Sequence, residues 1–208
     1  MDVEIRASLI DDNLEECIKK AALEALVDEA TRDESDFVGK LFSPGLNYRL
    51  RECARPKAEV EFSLGRWVVV KGRADYLGFV EGLLCLLAWI DGRFRDAQEI
   101  ANITGVKLSG RVRGGRLVHE FGTGDGTAFE VKDGVLVAVG DGDRREIPAS
   151  EVRGEIEDFL LGPFPWNMRE LWERYSPPGL ERGFLRNTAP VRLLLKVVGY
   201  ESKLEVWD

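Results

Sequence analysis

The chain has 208 residues, 37 of them acidic and 29 basic, and its net charge of −8 argues against a general nucleic-acid binder. A single histidine, His119, rules out a metal site built from several imidazoles; three cysteines with no CxxC pair predict a reducing cytoplasm and no disulfide framework. Glutamine occurs once, at Gln98, and charged residues make up 32%, a bias that points to a thermophilic source.

Asp2 to Ala7 alternates as a short strand, with Val3, Ile5 and Ala7 on one face. The opening MDVEIRA has no apolar signal region, which fits a cytoplasmic protein. Asp12 with Glu15, or Asn13 with Glu16, has capping-box spacing. The helix that follows runs to about Thr31. It lines up Leu14, Cys17, Ile18, Ala21, Ala22, Ala25 and Leu26, so Cys17 reads as a buried structural thiol. A turn or short helix around Asp33 to Leu41 is broken by Ser43-Pro44-Gly45.

Charge is uneven along this part. Residues 1–40 carry 12 acids and 5 bases, a balance of −7, whereas residues 46–73 carry 7 bases and 3 acids, a balance of +4. Within the basic segment, Tyr48, Arg49, Arg51, Arg55 and Lys57 form a candidate RNA or phosphate contact. The alternative is a solvated segment that pairs with the acidic first helix.

Ala58 to Asp91 is the densest apolar block. Ala58, Val60, Phe62 and Leu64 alternate with polar residues, as on a strand with one buried face. Gly65-Arg66 closes a tight hairpin. Trp67 to Val70 is continuously apolar, which predicts a strand covered on both faces. Asp75 then caps a helix from Tyr76 to Ile90 that is apolar almost all round and therefore buried in a core or an interface. Gly78 and Gly82, four apart on one face, predict close approach of another backbone.

Phe94 to Ile103 reads as a short helix ended by Thr104-Gly105. Short strands separated by glycine turns follow: Val106–Val112, Leu117–Phe121, Ala128–Lys132, Val135–Val139 and Arg144–Ile147. Their spacing predicts an antiparallel meander. Ser150 can cap a helix from Glu151 to Leu161 that ends at Pro163 and Pro165, and Trp166 to Tyr175 is a short helix. Val191–Val198 and Lys203–Trp207 read as a closing hairpin.

Several stretches resemble known families. DVEIRA followed by LEECIKKAALEAL resembles the opening of archease, the tRNA-ligase activator, and GRADYLGFVEGLLCLLAWI resembles the small dimerisation subunit of the KEOPS tRNA-modification complex. Both resemblances imply tRNA-linked accessory roles. VVVKGRADY resembles a core strand of RecB-like nucleases, which implies a metal-binding Asp75. However, the acid-x-Lys that this chemistry needs does not follow. EFGTGDGT, from Glu120 to Thr127, resembles the glycine-rich loop of class I methyltransferases. It makes Gly122, Gly124, Asp125 and Gly126 candidate ligand-binding residues, with Asp141 near the second acid of that family. Such a loop should open a helix, and Thr127 to Lys132 instead alternates like a strand. Asp125, Asp133, Asp141 and Asp143 all fall in turns, which Asp-Gly chemistry explains without a metal. His119 alternates with Leu117 and Phe121, as a half-buried structural histidine does.

The expected fold is α+β: an N-terminal β-α-β-β-α unit followed by an antiparallel β-meander with a helix and a C-terminal β-hairpin. The units divide as residues 1–105 and 106–208, or form one continuous domain. The expected function is a non-enzymatic interaction or scaffold protein, self-associating or bound to a protein partner, with no catalytic residue, metal or cofactor and no membrane contact. An RNA-associated accessory factor and a nucleotide-binding enzyme built on GTGDGT are the alternatives.

Overall fold

The computed structural model describes residues 3–11, 13–30, 44–122, 126–140, 142–177 and 180–202. Expectations placed on Asp2, Asp12, Thr31, Asp33 to Ser43, Gly124, Asp125, Asp141 and Lys203 to Trp207 lie outside these residues.

The N-terminal part contains β1 (Val3–Leu9), α1 (Leu14–Ala30), α2 (Pro44–Cys53), β2 (Lys57–Leu64), β3 (Trp67–Asp75) and α3 (Tyr76–Ile90). The three strands form an antiparallel sheet in the order β1-β2-β3. After α4 (Phe94–Thr104) comes a five-stranded antiparallel meander: β4 (Arg111–Arg113), β5 (Arg116–His119), β6 (Thr127–Lys132), β7 (Val135–Gly140) and β8 (Asp143–Pro148). The described chain closes with α5 (Ala149–Leu161), α6 (Pro163–Tyr175) and α7 (Glu181–Val198). The α+β class and the order of the first unit and the meander are as the residue periods require.

Helix α3 organises the interior. Leu83, Leu84, Leu86 and Leu87 are fully buried, as are Tyr76, Phe79 and Val80. Each fully buried leucine, valine or phenylalanine contributes roughly 1.5–3 kcal/mol. The helix packs on α4, α5 and α7, on β2 and β3 of one sheet, and on β5 and β6 of the other. Buried residues from both sides of residue 105 form a single apolar cluster around it. Asp75 caps it as expected, its Oδ1 accepting the Gly78 N–H at 2.9 Å.

Helix α1 begins at an Asn13–Glu16 capping box. Asn13 Oδ1 accepts the Glu16 N–H, and Asn13 Nδ2 donates to the Glu16 carboxylate at 3.0 Å.

Several expectations need correction. Cys17 is exposed, and it is disulfide-bonded to Cys53 with Cα atoms 5.8 Å apart. This bond ties α1 to α2. Sequence spacing could not reveal it, because the partners are 36 residues apart and meet only when the two helices dock. Of the expected α1 stripe, Ala21 and Ala25 are buried, while Ala22 and Leu26 face solvent. Strand β3 is an edge strand, so it is not covered on both faces: Val68 is exposed and Val69 half-buried.

Val106–Val112 is strand only over Arg111–Arg113, because the Ser109 backbone turns aside to bond a side chain of α3. Ser150 does not cap α5, whose N-cap position is Pro148. Pro163 opens α6 rather than only ending α5, since proline suits a first helical turn.

The largest correction concerns Val191–Val198, which is helix, not hairpin. It is the second half of α7, with Phe184, Thr188, Val191, Leu194, Leu195 and Val198 buried at helical spacing. A Schellman motif ends it: Gly199 is left-handed at φ 85°, the Tyr200 N–H donates to Leu195 O at 2.8 Å, and the Gly199 N–H donates to Lys196 O at 3.2 Å.

Candidate functional site

A cleft of about 620 Å³ opens where α2, β2, the start of α3, the 107–109 segment, the end of β5 and α7 converge. Its walls carry five cationic side chains (Arg51, Arg55, Lys57, Lys107 and Arg186) and three carboxylates (Asp75, Glu81 and Glu120). Five positive against three negative groups leave a local surplus of two positive charges on a chain whose net charge is −8.

Each wall has a local cause. Helix α2 is clamped to α7 by Asn187. The Asn187 Nδ2 donates to Arg51 O at 3.0 Å and to Ala54 O at 3.2 Å, and Arg51 Nε donates back to Asn187 Oδ1 at 3.0 Å. Gly183 permits this docking, since a Cβ there would lie 3.2 Å from Arg51 Cα. Pro190 lies inside α7 and has no N–H for the Arg186 carbonyl one turn back, so that carbonyl lacks its helical partner beside the cleft. Arg55 and Lys57 both reach Asp75 at 4.0 Å.

The floor is made by two glycines of α3. Gly78 lies against Gly122, whose Cα would be 3.4 Å from an added Cβ. Gly82 lies against Phe121 and His119, whose ring atoms would be 2.4 Å and 2.8 Å from an added Cβ. The close backbone approach expected from the Gly-x3-Gly spacing is met within the chain at Gly78, whereas Gly82 makes room for side-chain rings. Gly122 has φ +80°, and a Cβ there would come within 2.9 Å of Asp75 O, so glycine is required on both counts.

Three buried polar side chains adjoin this floor, two of which, Glu81 and His119, also line the cleft. Glu81 accepts from the Ser109 N–H at 2.5 Å and from Ser109 Oγ at 2.9 Å. Burial raises its carboxyl pKa, the Ser109 bonds oppose that shift, and Asp75 adds to it. Cys85, one turn along α3, is a free thiol pushed up by burial and then by Glu81. His119 is 2% exposed, and burial lowers its pKa to about 4, so it is neutral at neutral pH. Its Nδ1 accepts the Phe121 N–H at 2.8 Å. That bond fixes the tautomer, placing the proton on Nε2, which has no partner among the described residues. Ligand atoms of Glu81, Cys85 and His119 lie within 4.8 Å of one another.

The basic patch read from sequence divides in two. Arg51, Arg55 and Lys57 line the cleft. Tyr48 is exposed on α2, and Arg49 pairs with Glu24 of α1 at 3.5 Å. The glycine loop also divides: Gly122 is in the cleft wall, and Gly126 lies near Val118 and Glu120. The segment after it is strand β6.

No family model, curated protein or solved structure matches this chain.

Lys107, Ser109, Arg186, Asn187, Glu81 and Cys85 carried no expectation, and His119, expected to be half-buried, is buried because the 119–122 segment packs onto α3. Glu81 and Cys85 had one legible signal, a spacing of four residues on a helix. The others join the site only through long-range packing.

Proposed function

We propose that the protein binds a phosphate-bearing small molecule of nucleotide size in this cleft. The observation that carries the reading is the convergence of Arg51, Arg55, Lys57, Lys107 and Arg186 around one concavity. Guanidinium groups offer planar, paired donors that match phosphate oxygens, and a ligand with two or more negative charges balances the surplus. Lys107 and Arg186 make no ion pair among the described residues, so they are available to a ligand. A volume near 620 Å³ lies in the usual range for small-molecule sites.

The scaffold reading drew on the all-apolar α3, and that surface packs inside the chain's own core. It therefore supplies no exposed face for self-association. A second reading, in which the phosphate belongs to an RNA end, is favoured by Tyr48, which is 63% exposed on the same helix as Arg51. A base can stack on such a ring.

Thermal unfolding with pyrophosphate and a panel of nucleotides tests the proposal. A ligand at one hundred times its Kd stabilises the folded state by about 2.7 kcal/mol, which raises the melting temperature by roughly 5–10 °C for a chain of this size. The rise should vanish in Arg186→Ser. No rise with any phosphate compound, or a rise unchanged in that variant, would contradict the proposal. Salt-sensitive tRNA binding lost in Tyr48→Ala would favour the RNA-end reading.

A further inference from the structure

We infer that Glu81, Cys85 and His119 form a binding site for a divalent zinc-type cation beneath the cleft. Glu81 and Cys85 project from one face of α3, four residues apart, and His119 meets them from the end of β5. Their ligand atoms lie within 4.8 Å of one another, and all three side chains are at least nine-tenths buried.

Room for this grouping is built in by glycine. A Cβ at Gly82 would strike the His119 ring at 2.8 Å, and a Cβ at Gly110 would lie 3.0 Å from Cys85 Sγ. The charge in the cluster is also unbalanced. Glu81 is a buried carboxylate bonded only by Ser109, with no cation against it among the described residues. A buried anion without a counter-charge is costly, and a metal ion removes that cost.

The donor set selects the metal. One carboxylate oxygen, one thiolate sulfur and one imidazole nitrogen are the three atom types zinc takes, whereas calcium and magnesium prefer oxygen alone. Three protein ligands leave a fourth position open, and two of the three, Glu81 and His119, also line the cleft.

In the tautomer that the Phe121 N–H bond requires, the imidazole lone pair is on Nδ1, the nitrogen that packs against Gly82 of α3. Coordination there displaces the Phe121 N–H. Loss of one neutral hydrogen bond is small beside the gain of three coordinate bonds.

Cobalt(II) titration of the intact chain, without any phosphate compound present, tests this. Cys85 is the free thiol among the described residues, because Cys17 and Cys53 are bonded to each other. A sulfur-to-cobalt charge-transfer band is therefore assignable. The expected result is one equivalent of metal per chain and a band that disappears in Cys85→Ser. In His119→Asn, whose side-chain oxygen still accepts the Phe121 N–H, the affinity should fall at least tenfold with the circular dichroism spectrum unchanged. Zinc should displace the cobalt. Absence of the band in the wild-type chain, or a band that survives Cys85→Ser, overturns the inference. Neither outcome bears on phosphate binding, which Arg186→Ser reads separately.

Discussion

The two halves of α3 belong to one buried helix and do different work. From Leu83 to Ala88 every side chain is fully buried, and the helix is sealed on all sides by α4, α5, α7 and the sheets. From Tyr76 to Gly82 the same helix carries two glycines and a buried glutamate, and there the 119–122 segment comes close enough to form the floor of a cleft. An apolar pattern alone therefore secures burial. The small residues within it decide where a concavity forms, because a missing Cβ lets polar chain approach without entering the core.

Four experiments can break or sharpen this contrast. The sealed half should show the largest effect. Leu84→Ala removes a fully buried side chain and should destabilise the protein by about 2–5 kcal/mol in chemical unfolding. A loss under 1 kcal/mol would mean that this half is not sealed.

The second effect depends on pH. His119 is held neutral in the fold, with its pKa lowered from 6.5 to about 4. Between those values the unfolded chain binds a proton that the folded chain does not. Stability is then full above about pH 6.5 and falls as pH drops toward 4, by about 3 kcal/mol in all. Urea unfolding of wild type and His119→Asn, with a chelator present, checks this: the loss attributable to this window should be absent from the variant.

The third effect concerns the floor. Gly82→Ala drives a Cβ into the Phe121 ring, which is itself packed against Phe62 and Phe129. Overpacking of this kind costs about 1–3 kcal/mol, despite the better helix propensity of alanine. Thermal unfolding reads it directly.

The smallest effect is at the cleft wall. Arg186→Ser should change the stability of the free protein by no more than about 0.5 kcal/mol, as expected for a surface position without an ion pair. Only the stabilisation by a phosphate compound should be lost.

Much of the fold was legible because its signals are local. Alternation marked β2, Asp-Gly and Gly-Gly turns marked the meander, and Asp75 with Asn13 marked two helix starts. The misreading of α7 has a physical source. Pro190 and the β-branched Val191, Val197 and Val198 suggest a strand by propensity, yet the burial of Val191, Leu194, Leu195 and Val198 against α3 imposes the helix. The candidate site was legible only in fragments. Arg51, Arg55, Lys57 and Gly122 could be singled out as basic or glycine-rich residues. Lys107, Ser109, Arg186 and Asn187 sit in unremarkable sequence and reach the cleft only when α7 docks on α2. The Cys17–Cys53 bond was hidden for the same reason.

The sole histidine makes one measurement decisive for the cleft. A nitrogen-15 spectrum of the His119 ring at neutral pH should show a neutral imidazole with its proton on Nε2. Its signals should move on addition of pyrophosphate in the wild-type chain and stay in place in Arg186→Ser. Signals that are unmoved by saturating pyrophosphate, or that move equally in both chains, would contradict phosphate binding above this floor.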